Sequence, residues 1–234
     1  MPDMLSQIEK DRLIKGLTSV FAVPFIDDIE DFIWEAVFAY VKSIPIAKFR
    51  NKKLFDVIDP IQKNGWSVKA LQWRVHPGVE FELVVQRADI IKKAKELGFS
   101  RLSLKSPEKD LGAALLKHWH KKIEEDVVSQ NVINKKICVL LKSEHRDKFA
   151  FYEDDVLIYQ PNDLSWKWTD KSKTGLQGLR KSDGFCIYRW YPNQKQFFER
   201  FVLPQNAFIF ELNLKKITIE EIIDLLETHL NSIP

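Results

Sequence analysis

Phe55-Asp56-Val57-Ile58-Asp59-Pro60, followed after one short turn by Gly65-Trp66-Ser67-Val68-Lys69-Ala70-Leu71-Gln72, is the stretch on which the reading of this chain turns. Both runs are rich in β-branched and aromatic residues, and Lys63-Asn64-Gly65 has turn chemistry, so residues 54–59 and 66–75 are predicted to form a hairpin. That pairing sets the carboxylate of Asp56 beside the ammonium of Lys69. Lys69 alternates with apolar Val68 and Ala70, and an inward-facing lysine is costly unless it has a partner or a task.

Upstream, residues 5–17 have the pattern of a first helix, and 25–45 contain a stronger one. Ile29, Phe32, Ile33, Ala36, Val37, Tyr40 and Val41 fall at helical spacing on one face, and Asp27 and Asp28 lie at its start, where acids complement the helix dipole. This helix also carries Glu30, Asp31 and Glu35. Downstream, residues 79–88 are predicted as a third strand after the His76-Pro77-Gly78 turn, 89–98 as a helix, 107–128 as another, and 135–142 as a buried strand centred on Ile137-Cys138-Val139-Leu140-Leu141. Residues 149–159 and 185–191 read as further strands. A final helix opens with the capping box Thr218 and Glu221. The order α-β-β-β-α-β points to an α/β protein with a mixed sheet flanked by helices.

The chain has 234 residues with a net charge of +3, seven Trp and sixteen Phe, which leaves ample material for a buried core. No repeat or Gly/Ser linker breaks it, so a single domain over 1–234 is expected. Cys138 and Cys186 sit in apolar or aromatic stretches and read as buried free thiols of a reducing compartment. The first residues lack a signal-peptide profile and no run is long enough to cross a membrane, so a cytoplasmic protein with no membrane partner is expected. No Walker loop, dinucleotide fingerprint or Gly-x-Ser-x-Gly elbow is present. His118 and His120 are two apart on a helix and point to different sides, so they read as solvated histidines and not as a metal pair.

Residues 161–204 carry eight basic and four acidic side chains, an excess of +4 against +3 for the whole chain, interleaved with Trp166, Trp168, Tyr188, Trp190 and Tyr191. Lysines in such a window suit phosphates. Arginine and amide side chains suit base edges. Lys171, Lys173, Gln177, Arg180, Lys181, Arg189 and Gln194 are the residues expected to touch DNA, with Gly175 and Gly178 allowing the backbone a tight path near phosphates.

A helix acid, an aspartate on one strand and an x-x-Lys triplet on the next resemble the PD-(D/E)xK nucleases, and in particular type II restriction endonucleases. The resemblance covers about residues 25–145, leaving 146–234 as a β-rich, aromatic and basic DNA-recognition elaboration with a C-terminal helix. It implies a site-specific deoxyribonuclease dependent on Mg²⁺, with Asp56 and Glu30 as metal ligands and Lys69 assisting the attacking water. Ser67 stands in the position of the second acid, where a hydroxyl is a weaker ligand without charge. Glu30, Asp59, Glu80 and Glu82 are the acids that could compensate. The resemblance further implies double-stranded DNA as substrate, a homodimer matching a two-fold site, and a partner DNA methyltransferase. The Ser67 departure keeps open a catalytically inactive DNA-binding protein on the same core. A more distant alternative is an RNA-binding or RNA-processing module.

Overall fold

The computed structural model describes residues 4–45 and 53–231. Among them the chain is mixed α/β, with four α-helices and two five-stranded sheets. It divides into two compact units that interleave along the sequence: residues 1–77, 131–155 and 204–234 form the first, and 78–130 and 156–203 the second. The division follows strand pairing, and so differs from the single domain with a boundary near residue 145 that the sequence pattern suggests.

In the first unit, helices α1 (Gln7–Ala22) and α2 (Asp31–Lys42) pack on strands β1 (Val57–Asp59), β2 (Asn64–Gln72), β4 (Asn134–Lys142), β5 (Lys148–Asp155) and β10 (Phe208–Glu211). The sheet order is β1-β2-β4-β5-β10, with β2 and β4 parallel and the other pairs antiparallel. Ser6 and Glu9 form a reciprocal capping box at the start of α1. Leu13, Leu17 and Phe21 from α1 and Trp34, Val37, Phe38 and Val41 from α2 close over Trp66, Val68, Leu140, Phe149 and Phe151. A polar tie runs through this core: Lys42 Nζ lies 3.0 Å from both Glu9 and Glu153, and Trp66 Nε1 donates to Glu153 at 2.9 Å. As the apolar run foretold, β4 lies inside the sheet, with Ile137 to Lys142 buried.

The hairpin forms as predicted, with Val57 opposite Trp66 and Asp59 opposite Asn64. Its turn chemistry is not what the glycine suggested. Lys63 takes the left-handed conformation at φ 55°, while Gly65 is already in β2, where a Cβ would lie 2.7 Å from Val132 and 2.8 Å from Phe55. Close packing therefore demands this glycine.

The second unit contains strand β3 (Glu80–Arg87), helix α3 (Glu108–Gln130) and strands β6 (Leu164–Trp168), β7 (Leu176–Arg180), β8 (Cys186–Tyr191) and β9 (Gln196–Val202) in the order β3-β9-β8-β7-β6, all antiparallel. The third predicted strand thus pairs with β9 and not with the hairpin, so the α-β-β-β-α-β order exists along the chain without forming one sheet. Residues 89–98 make a series of turns where a helix was expected, with mixed bonds such as Lys93 N to Asp89 O and Leu97 N to Ala94 O, ending at Gly98 with φ +81°. Ile90, Ala94 and Leu97, at the helical spacing that suggested the helix, are nonetheless buried along this path.

Trp166 keys α3 to this sheet. A Cβ on Gly112 would lie 2.2 Å from its indole and one on Gly178 would lie 2.8 Å away, so one ring fills the space both glycines leave. Gly178 is therefore a packing position and not part of a phosphate-binding loop. Gly112→Ala is expected to destabilise the fold by about 1–3 kcal/mol, the usual cost of overpacking, despite the better helix propensity of alanine. Chemical denaturation checks this, and a variant at least as stable as the parent would show that the indole moves aside freely.

After Leu212, the C-terminal helix α4 (Ile219–Asn231) opens on the predicted capping box, with Thr218 N donating to Glu221 Oε2 at 2.7 Å. No residue of α4 is buried. Among the described residues, no helix is long and apolar enough to cross a membrane.

Candidate functional site

Strand β1 is only three residues long and covers β2 from Asn64 to Trp66. Beyond Trp66, alternate backbone donors of β2 point to an edge that no strand occupies among the described residues, and carboxylates take them. Asp56 Oδ2 accepts from Val68 N at 2.8 Å, and Asp31 Oδ1, from the first turn of α2, accepts from Ala70 N at 3.0 Å. Lys69 Nζ completes the arrangement, donating to Asp56 Oδ2 at 3.0 Å and to Val68 O at 2.9 Å. The predicted pairing of Asp56 with Lys69 is therefore present.

Asp56 carries the perturbed electrostatics of the site. Burial pushes its carboxyl pKa up, Lys69 and the Val68 N–H pull it down, and the negative charge of Glu35 adds an upward push; the net shift is upward. Asp31 and Glu35 are one helical turn apart on the same face of α2, which aims both toward this edge. Glu30 takes a different position. It is the residue before the first turn of α2, exposed, and lines a cleft of about 410 Å³ with Asp28, Asp31 and Lys142. Glu35, and not the expected Glu30, is the helix carboxylate whose charge bears on Asp56. The signal that could have found it is its i+4 relation to Asp31, hidden because the start of the helix was placed too early.

Ser67 is 7 % exposed and shares a strand face with Lys69, two residues on. The proposed compensating acids have other work. Asp59 Oδ1 accepts from Ile61 N and Gln62 N in the β1–β2 turn, at 2.8 and 3.1 Å. In the second unit Glu80 meets Arg200 at 2.5 Å, and Glu82 meets Arg189 at 3.3 Å. Asp28 is clamped by Lys142 at 2.7 Å and Arg146 at 3.2 Å; burial opposes ionisation there, but these cations outweigh it and hold the carboxyl low.

Two carboxylates with a third charge alongside are a donor set suited to a small hard cation, which takes one or two carboxylates and fills the rest of its shell with water and substrate oxygens. No group of three or more His, Cys, Asp or Glu converges to hold a metal among the described residues. Asp56 and Glu35 are the residues that would hold such an ion.

The residues assigned to DNA contact lie in the second unit and are not equally available. Arg180 forks onto Asp183, with Nε to Oδ1 at 3.0 Å and Nη2 to Oδ2 at 2.6 Å, and reaches Tyr159 at 3.3 Å. The hydrogen bonds from Arg180 pull the Asp183 carboxyl down to about 2. Lys173 donates to Leu104 O at 2.6 Å and lies over the Trp168 ring. Arg189 bonds Tyr191 as well as Glu82. Lys171, Lys181 and Gln194 are exposed. Lys167, Gln177 and Arg189 are in register across β6, β7 and β8, which puts these three on one face of the sheet, opposite Trp166, Gly178 and Tyr188.

His118 and His120 are half-buried, more enclosed than the fully solvated histidines expected, and burial is the leading cause that lowers the pKa of both. Cys138 and Cys186 are buried free thiols, as predicted, and burial pushes Cys138 well above its ordinary value. Comparison with protein-family models, curated proteins and solved structures finds no match to this chain.

Proposed function

We propose that this protein is a Mg²⁺-dependent endodeoxyribonuclease that cuts double-stranded DNA at specific sites, in the manner of a type II restriction enzyme. The observation that carries the reading is the half-buried Asp56 carboxylate, bonded to Lys69 on a strand edge that no other strand covers among the described residues, with Glu35 charge beside it. A divalent cation bound there would stabilise charge on the scissile phosphate and lower the pKa of the attacking water. The chain's own groups do the rest. Asp56 Oδ2 is occupied by two donors, which turns Oδ1 to the ion. Lys69 has three N–H bonds, of which two go to Asp56 and Val68 O; the third remains to orient the water or meet a phosphate oxygen.

The face bearing Lys167, Gln177 and Arg189, together with exposed Lys171, Lys181 and Gln194, supports contact with DNA. Two further partners belong to this reading. The exposed stripe Ile219, Ile223, Leu226 and Leu230 on α4 supports a homodimer, and the resemblance supplies a protecting methyltransferase. An inactive DNA-binding protein is the second reading, favoured by uncharged, buried Ser67 in place of an acid.

The assignment of the helix acid separates the residues sharply. Glu35→Gln is expected to lower Mg²⁺-dependent cleavage of plasmid DNA by about 10²-fold or more, the scale of losing one transition-state electrostatic group, while Glu30→Gln leaves it within a few-fold. The opposite order would return the ligand role to Glu30.

A further inference from the structure

The second unit contains a basic cleft that the Asp56 site does not use. It has a volume of about 340 Å³ and opens between the end of β3, the turns of residues 89–98 and α3. A β-bulge shapes it. Val84 pairs with Phe198, but Gln86 pairs with Phe197, so the extra residue Val85 moves Gln86 onto the face of fully buried Phe197. Bulges of this kind re-aim a side chain. Here the re-aimed amide ends with Nε2 buried and without an acceptor among the described residues, a state that costs free energy unless something outside the chain supplies one.

The other walls also offer donors in excess. Arg87, Lys93, Lys121 and Lys122 line the cleft against two carboxylates, Glu96 and Glu125. Lys122 is held by buried Asp126 at 2.5 Å and Lys121 is loosely paired with Glu125 at 3.9 Å. Among the described residues, neither Arg87 nor Lys93 has a carboxylate within ion-pair distance. His118 Nε2 lies 3.2 Å from Arg87 O, which fixes the ring at the mouth of the cleft. Burial lowers the pKa of His118 and the charge of Lys93 lowers it further, as expected where the local potential is positive.

We infer that this cleft is a phosphate-binding site, in which Gln86, Arg87 and Lys93 donate to the oxygens of a phosphate group. A tetrahedral oxyanion supplies the several acceptors that these donors lack, and guanidinium and ammonium groups bond it with charge assistance. The volume lies at the low end of small-molecule sites, about 300–1,000 Å³, which leaves room for a phosphate that carries an organic substituent. Its source is either a phosphodiester within a nucleic-acid strand or a free phosphate ester. The inference does not depend on the activity of the Asp56 site.

The test is to follow the His118 ring resonances by NMR while the full chain is titrated with inorganic phosphate and, separately, with a short single-stranded oligonucleotide. The expected result is a saturable shift, weakened at least about tenfold in Arg87→Gln/Lys93→Gln, which removes two charge-assisted donors, and weakened also in Gln86→Leu. Saturation at much lower concentration by the oligonucleotide identifies a strand as the source; saturation by inorganic phosphate alone identifies a free phosphate ester. The absence of a saturable shift with either titrant, or one that persists unchanged in Arg87→Gln/Lys93→Gln, would overturn the assignment. Because the reporter lies in α3, failure here leaves the cleavage reading untouched.

Discussion

Lys69→Met is expected to give a folded protein that still binds duplex DNA and has lost about 10²–10³-fold in Mg²⁺-dependent cleavage. The aliphatic stem survives in methionine, so packing around β2 changes little. What disappears is the ammonium that bonds Asp56 and Val68 O, with the remaining N–H that faces the reaction. Asp56 still accepts from Val68 N, so its carboxylate keeps its place on the strand edge. The substitution also has a pH signature. The Asp56 pKa is raised already, chiefly by burial, and Lys69 is the largest influence holding it down, so removing that charge raises it further. A carboxyl whose folded pKa lies above its unfolded value destabilises the fold while ionised, and the penalty is relieved as pH falls through the folded pKa. The variant should therefore gain more stability than the parent on acidification from neutral pH, read as the change in melting temperature. Cleavage within a few-fold of the parent, or identical pH dependence of melting, would remove Lys69 from the chemistry.

Phe38→Ala should have the largest effect on stability, about 3–5 kcal/mol. Phe38 is fully buried in the face of α2, stacked on Phe151 at 6.2 Å between ring centroids, edge-on to Trp66 at 5.6 Å, and 5.8 Å from Trp34. Its loss opens a cavity at the junction of helix and sheet that neighbouring rings cannot fill without leaving their own contacts. The same contact fixes the helix that carries Asp31 and Glu35, so surviving folded protein should also cleave less. Denaturant titration measures the first effect; a loss under about 1 kcal/mol would mean that the aromatic cluster repacks around the gap.

The sequence disclosed local features well and distant ones poorly. The apolar spacing of α2, the Thr218–Glu221 cap and the Ile137–Leu141 run each encode their structure within a few residues. The hairpin was legible for the same reason, and with it the meeting of Asp56 and Lys69. Partner choice for β3 was hidden, because its mate β9 lies more than a hundred residues away and strand propensity says nothing of which edge is taken. The role of Gly112 was hidden too, since Trp166, whose indole fills the space it leaves, lies far along the chain. The identity of the helix acid depended on where α2 begins: with Glu30 ahead of the first turn, Asp31 and Glu35 become the pair on the side of the β2 edge. Likewise Arg180 looked available for DNA until Asp183, three residues on, was seen to hold it.

The proposed nuclease function makes Asp56 and Lys69 a hydrolytic centre for DNA. Its most direct test is incubation of the purified protein and its Asp56→Asn variant with unmethylated plasmid and phage DNA, in Mg²⁺ and in EDTA, resolved on a gel. Discrete fragments are expected with the parent protein in Mg²⁺, and intact DNA both in EDTA and with the variant. Fragments that persist in the folded Asp56→Asn variant, or DNA left intact by the folded parent across a range of Mg²⁺ concentrations, would contradict it.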